Sequence, residues 1–190
     1  MSVPTALIGA VDTNAPGYDL VLLAHVLVAV VALVAVLVSG GFAFALRQAL
    51  AAGGTVPEPV VRYYRPGVNW AGRILFLVPV FGVALLAMSG GAWSFADTWV
   101  SMGTAGWAVV AIAAEAVLWP TERRLQRVVA ARTGAVHGPS GEAPADGVTA
   151  TSREHGGVGD PSSLCLQAGL LATGLGALLV AVAVLMAAKP

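Results

Sequence analysis

The chain has 190 residues, 57% of them hydrophobic and 11% charged, with a mean hydropathy of +0.82 and a formal net charge of zero. Soluble domains carry about 25% charged residues, so a chain this apolar cannot cover a water-facing surface and must take lipid as part of its solvent. Zero net charge supplies no bulk field to recruit nucleic acid, and a single cysteine, Cys165, excludes an internal disulfide or a CxxC site.

Taken in chain order, residues 1–17 read as an external tail carrying Pro4 and Pro16. The first predicted span covers Tyr18 to Leu46, and its centre, Val26 to Val38, is thirteen apolar residues without a break. About 20 helical residues cross the hydrocarbon, so this helix is long enough to tilt or project. The first basic residue, Arg47, follows this span, which departs from a cleaved leader and predicts that the span is retained. Gly53 and Gly54 end the helical pattern, and Pro57 and Pro59 extend the connection. The second span covers Trp70 to Met88, with Pro79 predicted to kink it.

After a short loop, the third span covers Trp99 to Trp119, with Pro120 at its exit. Thr121 to Arg132 reads as a basic amphipathic helix on the membrane surface, with Leu125, Val128 and Val129 on one face. Residues 133–163 are rich in Gly, Pro, Ser and Thr and read as a disordered cytoplasmic loop, in which His137 and His155 are solvated. The fourth span occupies 164–190. The domain organisation is therefore a tail at 1–17, three spans plus a basic helix at 18–132, a loop at 133–163 and a last span at 164–190. The predicted fold class is all-α: a polytopic membrane protein, an antiparallel four-transmembrane-helix bundle.

Charge sets the expected orientation. Arg47, Arg62, Arg65, Arg73, Arg123, Arg124, Arg127, Arg132 and Arg153 all fall on one side of the spans, and only Lys189 falls on the other. Positive residues stay cytoplasmic, so both termini are expected outside.

Three ionisable groups fall within spans: His25, Arg73 and Glu115. Intramembrane charge is costly and marks a candidate site. Arg73 and Glu115 both sit about 5–6 Å below the inner interface at 1.5 Å rise per residue, which predicts an Arg73–Glu115 ion pair acting as a structural tie or a relay. His25 lies near the outer end, level with Met88, Met102, Met186, Ser101 and Thr104. Imidazole with thioether is a ligand set for copper(I) or a His/Met haem, so His25, Met88 and Met102 form a candidate metal site. Gap-filling methionines and a hydrogen-bonded histidine are the alternative. Small-residue stripes are expected to face inward: His25–Ala29–Ala32–Val36–Ser39–Ala43, Arg73–Leu77–Val80–Ala84–Met88, Ser101–Thr104–Ala108–Ala111–Glu115 and Gly169–Thr173–Ala177–Ala181. No Ser-His-Asp constellation or phosphate loop is present.

The segments YDLVLLAHVLVAVVALV around His25, RPGVNWAGRILFLVPVFGVALL around Arg73 and WAVVAIAAEAVLWPTERRL around Glu115 resemble the bacterial integral-membrane family called domain of unknown function 2269. The resemblance covers Tyr18 to Arg132 and implies a four-helix inner-membrane protein without assigning catalytic residues. A looser similarity links the early helix-one histidine to copper-resistance and haem-associated four-helix membrane proteins. The expected function is a non-catalytic scaffold or accessory subunit in the lipid bilayer, with a membrane-protein partner or a second copy, no nucleic acid and no cofactor. The alternative is a haem- or copper-binding protein.

Overall fold

In a computed structural model of the chain, residues 16–67, 70–136 and 160–188 are described, and every regular element among them is helical. The elements are α1 (Pro16–Ala51), α2 (Glu58–Tyr63), α3 (Trp70–Arg73), α4 (Leu77–Met88), α5 (Thr98–Ala113), α6 (Trp119–Val136) and α7 (Pro161–Ala187). A 3-10 turn, Ile74–Phe76, joins α3 to α4, and a π-helical segment, Ala114–Leu118, joins α5 to α6. Four stretches are long and apolar enough to cross a membrane: Gly17–Ala51, Trp70–Met88, Thr98–Gly134 and Pro161–Ala187.

Two prolines shape the spans. Pro79 has no N–H to give the Leu75 carbonyl and crowds it, and the helix tightens into the 3-10 turn just before it. The Leu75 carbonyl accepts a backbone N–H at the end of that 3-10 turn and, in addition, the Trp107 ring N–H at 3.0 Å. Pro120, read from sequence as the exit of the third span, does not end the helix. The π-helical segment ahead of it widens the turn and accommodates the ring, as such bulges do. Thr121 donates its hydroxyl to the Val117 carbonyl at 2.7 Å across the same turn.

The 133–163 region also differs from expectation at both ends. Thr133–Val136 continue α6, and Asp160 begins α7 as its N-cap with Pro161 in the first turn. The Ser162 N–H donates to Asp160 Oδ1 at 3.2 Å and the Ser162 hydroxyl to Oδ2 at 2.7 Å. These bonds hold the Asp160 carboxyl below the usual carboxylate range. The expectations for residues 1–15 and for 137–159, His137 and His155 included, lie outside the described residues.

The chain packs as two units, Met1–Val38 with Asn69–Ala114 and Thr173–Pro190, and Ser39–Val68 with Glu115–Ala172. In the first, α1 leaves ten large apolar side chains exposed, from Leu20 to Val38. Holding them in water costs about 1.5–3 kcal/mol each, so lipid is the medium that suits this surface. The second unit has its own core of Ala43, Leu46, Val60, Tyr64, Leu125, Val129, Leu164, Cys165 and Ala168. Its exposed large hydrophobics are confined to Val117 and Leu170 among the described residues.

The expected stripes are buried from Ala32 to Ala43 on α1, and elsewhere only at Ala111 on the third span and Gly169 on α7. Ala32, Val36, Ser39 and Ala43 are buried, as read. On the third span the inward face is Val100, Gly103, Val110, Ala111, Ala114 and Leu118, whereas Ser101, Thr104 and Glu115 are exposed. On α7 it is Leu164, Cys165, Ala168, Gly169, Ala172, Leu175 and Gly176, with Thr173, Ala177 and Ala181 exposed. On α4 no residue of the stripe is buried.

Gly169 and Gly103 pack differently, and this yields a test. A Cβ at Gly169 would meet the Phe44 ring at 2.7–2.9 Å, whereas one at Gly103 would meet only the flexible end of Met186. Gly169→Ala is expected to lower stability by about 1–3 kcal/mol through overpacking, and Gly103→Ala by clearly less. Unfolding of the two variants side by side in one detergent checks the order.

Candidate functional site

The second unit buries a carboxylate. Glu122 is 6% exposed and Ser39 3%. The Ser39 hydroxyl donates to Glu122 Oε1, and the Tyr63 hydroxyl donates to the same oxygen at 3.1 Å. Three elements thus meet at one atom: α1 through Ser39, α2 through Tyr63 and α6 through Glu122. Helical periodicity aims Glu122 inward. Leu118, Glu122, Leu125 and Val129 recur at four- and three-residue spacing, and all four are buried. The apolar face of 121–132 that was expected on the membrane surface therefore packs on protein, while Arg123, Arg124, Arg127 and Arg132 point outward.

Aromatic rings wall this cluster. Phe42 stacks on Tyr63 with centroids 4.3 Å apart, and Tyr63 meets Tyr64 edge-on at 5.1 Å. The Tyr64 side chain is buried and its hydroxyl has no hydrogen-bond partner. Burial, together with the neighbouring Tyr63, Glu122 and Cys165 groups, pushes the Tyr64 phenol well above its ordinary value. The linkage has a definite sign. An unfolded phenol ionises near about pH 10 while the folded one stays neutral, so stability is whole below that pH and falls as the pH rises past it. Tyr64→Phe is expected to flatten that alkaline loss and to be neutral or stabilising at pH 7, since it removes an unsatisfied group. Denaturation midpoints from pH 8 to 11 check both expectations.

Hydroxyls, one carboxylate and a buried thiol at Cys165 can bind a proton or fix helix positions. Glu122 was missed by the sequence reading because it stands in the run Thr121-Glu122-Arg123-Arg124, which reads as solvated surface.

The sequence-predicted residues lie elsewhere. Arg73 closes α3 in the first unit and is half-buried; Glu115 is in the π-helical segment of the second unit and is exposed. In the first unit His25 lies against Gly82, whose Cβ would stand 3.4 Å from the imidazole Cε1, and its Nδ1 is buried without a hydrogen-bond partner. Met88 turns its methyl to Gly17 instead. Gly82 and Met88 are about 9 Å apart along α4, and Gly17 and His25 about 12 Å apart along α1. Met102 is 53% exposed, Met186 packs on Gly103, and Ser101 gives its hydroxyl to the Phe95 carbonyl. Among the described residues no group of three or more His, Cys, Asp or Glu side chains is arranged to hold a metal ion.

The chain matches no protein-family model, and neither a curated protein nor a solved structure matches it.

Proposed function

We propose that the protein is a non-catalytic scaffold or accessory subunit of a membrane complex. It is an antiparallel four-span bundle in a bacterial inner membrane, with both termini outside. The observation that carries this reading is the change of surface along the helices. Exposed large apolar side chains run from Leu20 to Val38 on α1 and from Met102 to Val117 on the third span, then cease. The second unit, described by itself, is a packed helical module whose exposed charges are mostly arginines. A chain that joins a lipid-facing surface to a basic module suits presentation to a partner.

The contacts of small residues support the antiparallel reading. Gly17 meets Met88 and Gly82 meets His25, so numbers fall on α4 as they rise on α1. Gly103 meets Met186 and Gly106 meets Val182 in the same sense, as do the Leu37–Gly176 and Phe44–Gly169 contacts. The nine-to-one arginine and lysine asymmetry supports the orientation.

Purification at native expression level, with the mass of the detergent-solubilised particle determined, tests the reading. The expected result is a particle heavier than the chain, with a second membrane protein or a second copy at fixed stoichiometry. A lone chain would sink it. A second reading, haem or copper held at His25, is favoured by one observation, the unpartnered buried Nδ1. It predicts stoichiometric iron or copper that is lost in His25→Ala. Metal-free protein from replete cells would remove it.

A further inference from the structure

Beside the buried Glu122 cluster, with Tyr64 bordering both, the second unit also carries a groove. It lies between the end of α2 and the inner part of α6, encloses about 360 Å³, and is walled by Val61, Pro66, Val129, Ala130 and Gly134, with Arg65 at its edge. The Gln126 side-chain amide donates to the Gly67 carbonyl at 3.3 Å and fastens the loop after Arg65 to α6. The groove is therefore held open between two tied elements.

Its surroundings are strongly cationic. Arg47, Arg62, Arg65, Arg123, Arg124, Arg127 and Arg132 are all exposed in this unit, against Glu58, Glu115 and Asp160 among the described acidic residues. Arg62 and Arg65 are one helical turn apart beside one wall. Arg123 and Arg127 share a stripe of α6 with Ala130 and Gly134 of the other wall, at spacings of four, three and four. All seven cations are arginine, whose planar fork pairs with carboxylates in two parallel hydrogen bonds.

Resting on the scaffold reading, we infer that this groove receives an acidic segment of a partner protein, with an apolar side chain in the groove and carboxylates on Arg65, Arg62 and Arg127. Position along the helix favours a protein over a lipid. The last exposed large apolar residue of this helix is Val117. Val129 lies about 18 Å further along and Gly134 about 25 Å. The headgroup layer adds only about 5–8 Å per leaflet to the hydrocarbon, so with this helix upright and Val117 at the hydrocarbon edge the groove stands in water.

The test uses the full chain in nanodiscs of zwitterionic lipid. The probes are labelled peptides with one Leu or Phe in an Asp/Glu/Gly/Ser background, and their Asn/Gln and Leu/Phe→Ser counterparts. Binding should need both the acids and the apolar side chain, and should weaken with salt. Arg65→Ala and the groove-filling Ala130→Trp should each weaken it by about tenfold. A side chain at 130 or 134 is expected to be tolerated, because Ala130 is exposed and a Cβ at Gly134 meets nothing within 4 Å. Gly134→Phe is thus a second blocking variant should Ala130→Trp misfold.

Equal binding by the blocked variants, binding of vesicles containing phosphatidylglycerol in preference to the peptides, self-association through the same residues, or binding that emerges only when residues 137–159 are deleted would each overturn the inference. If the native particle keeps its second subunit unchanged in Ala130→Trp, the groove assignment falls and the scaffold reading stands.

Discussion

Replacing Glu122 with alanine is expected to destabilise the fold by about 3 kcal/mol. The Ser39 and Tyr63 hydroxyls both donate to Glu122 Oε1, Ser39 from a buried and Tyr63 from a half-buried position, and a buried donor that loses its acceptor costs about 1–3 kcal/mol. Glu122→Gln keeps an acceptor oxygen at the same place and should cost about 1 kcal/mol. Glu122→Leu fills the space but strands the same hydroxyls, so it should behave like alanine. Removing the whole network in Ser39→Ala/Tyr63→Phe/Glu122→Leu should recover most of the loss, because an apolar replacement of similar volume avoids the desolvation cost of the carboxylate. Unfolding by a denaturing detergent, followed by helical circular dichroism, orders the four variants. Equal stability for the alanine and glutamine variants would mean that the hydroxyls do not depend on this acceptor. Non-additivity between Ser39 and Glu122 is the further mark of a direct contact.

The second large effect is expected at Trp107. Its ring N–H serves the Leu75 carbonyl, which Pro79 cannot reach four residues on. Trp107→Phe keeps an aromatic ring but removes one of two hydrogen bonds to that carbonyl, which retains the backbone N–H at the end of the 3-10 turn, at a cost of about 0.5–1.5 kcal/mol. In a Pro79→Ala background the new N–H at position 79 can bond Leu75 itself, and most of the Trp107→Phe penalty should vanish. A double-mutant cycle measures this directly. A penalty independent of residue 79 would point to lost packing of the ring on Phe76, which it meets edge-on at 6.4 Å.

These two sites mark where the sequence could be read and where it could not. The spans were legible because lipid-facing helices are uninterrupted apolar runs, and Val26–Val38 can hardly be anything else. The inward face was legible on α1, where Ala32, Ser39 and Ala43 stand among larger residues. It was not legible on the third span or on α7. When every side chain is apolar, the face that packs on protein and the face that meets lipid carry nearly the same composition. Small residues then occur on both, as exposed Ala177 and Ala181 and buried Ala168 and Ala172 illustrate.

The basic helix expected from Thr121 to Arg132 is there, and what the sequence did not disclose is the π-helical segment that absorbs the Pro120 ring and joins it without a break to the third span. Glu122 was overlooked as one acid among arginines. The available signal was its register with Leu118, Leu125 and Val129, which places a carboxylate on the buried seam. Tyr63 could not be linked to it from sequence, since 59 residues separate the two. His25 and Met88 were level by counting residues, but levels estimated from span ends carry errors of a turn or more. The actual neighbours, Gly82 and Gly17, set them two turns apart.

The proposed function rests on the exposed apolar side chains up to Val38 and Val117 facing lipid and the exposed arginines of the second unit facing water. Single cysteines in a Cys165→Ala background, probed in sealed oriented vesicles with a membrane-impermeant maleimide, test it most directly. Cysteines replacing Val30, Ile112 and Val180 should be protected from both sides. Those replacing Arg65, Arg127 and Ala130 should react from one side only, opposite to a cysteine at Ser94. Protection of positions 127 and 130 as complete as that of 112, or their labelling from the same side as 94, would contradict the account.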